Sequence, residues 1–164
     1  MNDVSTLTIE LPEKVYKLLI EKSKSENRSV EEIISEVILK YLNIDDPNVK
    51  VELHLKFCEK YLREAENYLE KKDYVQASEK AWGAASQIVK ALAAKEEREI
   101  RSHRELHEYV AEIIKKTNDN ELRRLWSAAG ELHRNFYEAW LPPELVKGYI
   151  EDIKEFINKM KKLL

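Results

Sequence analysis

The chain has 164 residues, with 28 Lys and Arg against 31 Asp and Glu; the net charge of −3 excludes a general-purpose polyanion binder. About 43% of residues are apolar, enough to fill a core, while three Gly and four Pro are too few for a turn-rich β-sandwich. No apolar run reaches the roughly 20 residues of a membrane span, no basic-then-apolar stretch marks a secretory signal, and the single Cys58 excludes an internal disulfide framework. One thiol in a chain of this size predicts a reducing, cytoplasmic setting. The charge is uneven: residues 1–46 carry 6 basic and 10 acidic side chains, residues 47–164 carry 22 and 21.

In chain order, Thr6-Leu7-Thr8-Ile9-Glu10-Leu11 alternates polar and apolar, the period of a half-buried strand. Pro12 ends it and suits the first turn of a helix that runs to about Glu26, with Val15, Leu18 and Leu19 on one face. Asn27 tolerates the left-handed conformation of a helix end. Ser29-Val30-Glu31-Glu32 is a capping box, opening a second helix in which Val30, Ile33, Ile34, Val37, Ile38, Tyr41 and Leu42 recur at helical spacing.

Asn43 to Asn48 reads as an acidic linker, which places a domain boundary between 1–45 and 46–164. Five helices are predicted beyond it: about 48–71, 74–95, 102–116, 120–140 and 144–163. Asp73 with Gln76 and Ser102 with Glu105 cap two of them, and Leu141-Pro142-Pro143 separates the last pair. The small stripe Ala77, Ala81, Ala84 and Ala85 predicts close helix approach. The predicted fold class is therefore mainly α: one short strand and two helices, then a bundle of about five helices.

A lone strand can satisfy its backbone by pairing with the same strand of a second copy. In this respect TLTIELPEKVYKLLIEKSKSENRSVEEIISEVILKYL, residues 5–42, resembles the ribbon–helix–helix fold. The resemblance implies a homodimer, or a higher even-numbered oligomer, joined through strand 6–11 and helix 30–42. It also implies a DNA contact in which Thr6, Thr8 and Glu10 face the major groove while Arg28 and Ser29 hold a phosphate at the helix N-terminus. Dimerisation alone is the other reading, since an acidic segment with Glu10 among its readers repels phosphate.

A second resemblance rests on AENYLEKKDYVQASEKAWGAASQIVKALA, Ser102-His103 and Leu132-His133-Arg134-Asn135-Phe136-Tyr137-Glu138. Together these are similar to the archaeal PaREP-type proteins of the HEPN-like helical superfamily, over about residues 52–160. Some HEPN proteins are metal-independent RNases that use an Arg and a following His. Arg134-Asn135 matches the first half of that motif, and the positions for the His hold Ala139, Trp140 and Leu141. Arg98 with His103 and Arg101 with His107 have a suitable spacing, but around the entry to the third helix of the bundle, another element.

His103, His133, Arg134, Asn135, Tyr137 and Glu138 thus form the candidate polar cluster. His103 and His133 are expected to hydrogen-bond and pin two helices together. No cofactor or metal is expected, because no third ligand accompanies the His103/His107 pair. Cys58 and the three Trp read as packing. The function expected from these readings is a non-enzymatic, nucleic-acid-associated regulator or interaction protein, toxin–antitoxin-like by fold analogy. The alternatives are a HEPN-type RNase and a helical scaffold for another protein.

Overall fold

The computed structural model describes residues 5–164 and contains seven helices: α1 (Glu13–Glu26), α2 (Val30–Tyr41), α3 (Pro47–Glu70), α4 (Tyr74–Lys95), α5 (His103–Thr117), α6 (Asn120–Glu138) and α7 (Pro143–Lys161). None is long and apolar enough to cross a membrane. The chain divides into two compact units, one ending at Asp45 and one spanning Asp46–Leu164.

In the first unit, α1 ends at Asn27 in the left-handed conformation (φ 51°), and its last turn closes through the Arg28 amide, which donates to the Ser23 carbonyl at 3.1 Å. Ser29 then caps α2, its hydroxyl accepting from the Glu32 amide at 3.1 Å. The two helices form a short hairpin that buries no hydrophobic side chain; Glu32 is the one buried residue. Arg28 crosses the turn to pair with Glu36, Glu26 and Glu32.

The expected fold class is corrected here. The described residues contain no strand: Thr6–Leu11 has no regular secondary structure, and Leu7 is 81% exposed. Period-two alternation fixes which side chains share a face, but a strand also needs a neighbouring backbone to bond, and none is offered among the described residues. The ribbon–helix–helix class, which requires that strand, goes with it.

In the second unit α4 is enclosed, packing against α3, α5, α6 and α7. Its small stripe makes this feasible: Ala77, Ala81, Ala84, Ala85, Ala91 and Ala93 are all buried, and backbones can approach closely where side chains are short. Gly83 belongs to the same device, since a Cβ there would lie 3.3 Å from the Tyr61 ring of α3. α3 and α4 form a hairpin through Lys71–Asp73, with Lys72 left-handed (φ 60°) and Asp73 capping α4 through the Gln76 amide at 3.1 Å. Around them Tyr109, Leu125, Leu132, Ile150, Ile153 and Phe156 complete the core.

Candidate functional site

Three helices of the second unit bring an aromatic–histidine cluster together. The first turn of α5 is set by a reciprocal cap: Ser102 Oγ accepts from the Glu105 amide at 3.1 Å, and Glu105 Oε2 accepts from the Arg101 amide at 2.7 Å. This fixes His103, and His107 one turn later, on one face of the helix. Trp82 comes from α4; Trp126, His133 and Tyr137 come from one stripe of α6.

The rings stack in sequence. Trp82 lies against His133 at 4.5 Å between centroids, meets His103 edge-on at 5.4 Å and tilts against Trp126 at 5.6 Å. Tyr137 meets His133 edge-on at 5.3 Å. Trp126 Nε1 donates to His107 Nδ1 at 2.9 Å, so the proton of neutral His107 sits on Nε2. The cluster runs from core to surface: Trp82 and Trp126 are buried, His103 and His133 half-buried, His107 and Tyr137 exposed.

Burial, then the neighbouring His103 and His107, pushes the His133 imidazole down to about 4. His103 is lowered too, by burial first and then by His107 and Lys90. Among the described residues no partner reaches the buried Nδ1 of His133, and no three His, Cys, Asp or Glu side chains are grouped as a metal would require. The hydrogen bond expected between His103 and His133 is replaced by an edge-to-face ring contact at 4.8 Å.

Of the sequence-predicted cluster, His103, His133 and Tyr137 converge and the others diverge. Arg134 lies on the surface, its Nε bonded to Glu138 at 3.0 Å and its guanidinium 5.3 Å from the Trp140 ring. Asn135 is buried and structural: Nδ2 donates to Ser78 Oγ at 3.0 Å, and Oδ1 accepts from the amides of Trp140 and Leu141 at 2.9 and 2.8 Å. It ties the end of α6, where Ala139 is left-handed (φ 49°), to the start of α4. Arg98 and Arg101 pair with Glu112 and Glu99.

In the first unit Thr6, Thr8 and Glu10 are exposed in the segment without regular structure, Arg28 is engaged by carboxylates, and the Ser29 hydroxyl is used by the α2 cap. Sequence reasoning gave Trp126 to packing without placing it beside the histidines, and passed over Gly130. The spacing of Trp126, Gly130, His133 and Tyr137, alternately four and three residues, is the signal that places them together on one helix face.

These features define a mainly helical protein in which a short helical hairpin precedes a larger unit built around α4 and carrying an aromatic–histidine cluster. The chain belongs to the archaeal PaREP1/PaREP8 family, whose family model matches residues 53–157, all within that larger unit. No curated protein and no solved structure matches the chain.

Proposed function

We propose that the chain is a self-associating, non-enzymatic interaction protein: two copies join through the first unit, and each presents its second unit to a partner. The observation that carries this reading is the unspent apolar surface of the first unit. Leu7, Ile9, Val15, Leu18, Val37, Ile38, Tyr41 and Leu42 are all exposed, and no hydrophobic residue of α1 or α2 is buried. A unit of this size is too small to be stable without a core, and a patch so apolar is the mark of an interface.

Charge favours a second copy as the occupant. α1 carries four Lys against three Glu, and α2 three Glu against one Lys. A two-fold arrangement that lays α1 of one copy along α2 of the other therefore pairs opposite charges around an apolar centre. The engagement of Arg28 with three carboxylates weighs against a DNA-reading role for this unit, because phosphate contacts need free cations.

Light scattering on the eluting full chain tests the reading. The expected mass is twice the 19.4 kDa of the chain, and Ile38→Glu should return it to the single-chain value with the helix content of the second unit retained. A wild-type mass of one chain at tens of micromolar overturns it.

A further inference from the structure

Exposure is unevenly distributed along the hairpin of the first unit. Next to the turn its apolar side chains are half-buried: Leu19 of α1, Ile33 and Ile34 of α2. Away from the turn they stand in solvent. Val15 continues the stripe of Leu18 and Leu19 toward the start of α1, and Val37, Ile38 and Tyr41 continue that of Ile34 toward the end of α2. Residues three and four apart share a helix face, so the exposed side chains look the same way as the covered ones. Leu7 and Ile9, in the segment that leads into α1, add to the same end.

The polar fastenings divide in the same way. The Ser29 cap and the pairs of Arg28 with Glu26, Glu32 and Glu36 all lie within about two helical turns of Asn27. From Val37 to Tyr41 the one charged side chain is Lys40, which reaches back to Glu36 at 2.6 Å. The hairpin is therefore closed and polar at its turn, open and apolar at its other end. Among the described residues of this unit eleven large apolar side chains are exposed, enough to supply the roughly 800 Å² that a specific interface takes from each partner.

We propose that two copies join open end to open end: each seats the start of α1 and the end of α2 in the opening of the other, Tyr41 is the anchor, and the Asn27–Ser29 turns lie outermost. A second copy suits the opening because a two-fold contact sets the same apolar patch against itself and covers both at once. Tyr41, 85% exposed, is the least covered large side chain of the unit. Its ring brings large, rigid contact area, and its hydroxyl can stay in water at the rim, the combination that dominates interface energetics. This arrangement rests on self-association through the first unit and adds its direction and its anchor.

The test uses the full chain with one introduced cysteine, Lys40→Cys in the opening or Ser25→Cys beside the turn. The native Cys58 is buried and its thiol is pushed up to about 12 by burial, so the added thiol takes the spin label. Pulsed electron resonance then gives the label-to-label distance between copies, with light scattering giving the mass. A helix of twelve residues spans about 18 Å, so the labels at position 40 should lie nearer each other than those at position 25 by about 15 Å or more. Tyr41→Ala should raise the dissociation constant about 30-fold, the level of an interface anchor, and Ser25→Ala should leave it unchanged. Because the Tyr41 side chain stands in solvent, its removal does not disturb the single chain. A doubled mass with the labels at 25 as close as those at 40, or a dissociation constant that Tyr41→Ala leaves unchanged, overturns the proposal and leaves self-association standing. A single-chain mass for the unlabelled wild type removes both.

Discussion

The two units solve the same problem in opposite ways. Both are built from amphipathic helices, but α3 and α5 to α7 turn their apolar stripes inward around α4, a helix of small residues, whereas α1 and α2 fully bury none of their apolar side chains and leave Val15, Leu18, Val37 and Ile38 in solvent. What fixes the geometry of the first unit within one chain is largely polar, a left-handed Asn27, the Ser29 cap and the Arg28 ion pairs, with only partly buried apolar side chains such as Leu19, Ile33 and Ile34 between its helices. What holds the second is a continuous apolar core from Cys58 to Met160. A hairpin fixed by caps and ion pairs without a full core has its geometry specified and its stability unspecified, which is the condition of a segment completed by association.

The largest expected effect separates these two kinds of stability. Phe156 is fully buried and packs against Trp126 at 5.3 Å. Phe156→Ala should cost about 3–5 kcal/mol at any protein concentration, read as a lowered midpoint in urea. Val37→Ala, at an exposed position, should change stability mainly through the concentration dependence of the transition. Equal, concentration-independent losses at the two sites would erase the contrast.

Acid should divide the units next. In the second unit His133 is held at about 4 when folded, against an ordinary value near 6.5. Between those values the unfolded chain takes up a proton that the folded chain refuses. Stability is therefore full above pH 6.5 and falls as the pH drops toward 4. The loss should be about 1–2 kcal/mol, less than the whole shift implies because the ring is half in solvent. His133→Phe, which keeps a ring against Trp82, should flatten that slope in denaturant titrations at pH 7, 5.5 and 4.5. In the first unit the Glu36 carboxyl is held below its ordinary 4.5 by Lys40 and then Arg28. Its contribution persists through this window and is lost only as the pH falls below about 4.5. A slope that His133→Phe leaves unchanged would remove the histidine from the account.

Much of this architecture is legible residue by residue. Asn27, Ser29, Asp73 and Ser102 announce helix ends because their side chains or left-handed tolerance act on the nearest backbone, and local rules suffice. The alanine stripe of α4 shows in the same way. Thr6–Leu11 misleads because alternation records a face and leaves the bonding partner unstated. Arg134-Asn135 misleads for a different reason. Asn135 looks like half of a reactive pair, yet its carbonyl oxygen serves two amides beyond a reversal at Ala139 that only the folded chain creates. Among the site residues, the histidines are visible as residue types, while the ring contacts that gather them with Trp82 and Tyr137 exist only in the folded chain.

The smallest effect belongs to the first unit and tests whether its intrachain stability is polar. Arg28 is about three-quarters withdrawn from solvent and faces Glu26, Glu32 and Glu36, with Glu32 itself buried. Removing the guanidinium takes a cation from a cluster of three carboxylates while disturbing no apolar contact of the second unit. Arg28→Ala should cost about 1 kcal/mol, at the upper end for partly exposed ion pairs, and the loss should be local. In hydrogen exchange, the α2 amides should lose about 5-fold in protection, which is that energy expressed as a population, while the α4 amides stay unchanged. Unchanged α2 amides would mean that the hairpin does not depend on its ion pairs. Parallel loss in α4 would mean that the units melt as one body and that the division at Asp45 has no energetic counterpart.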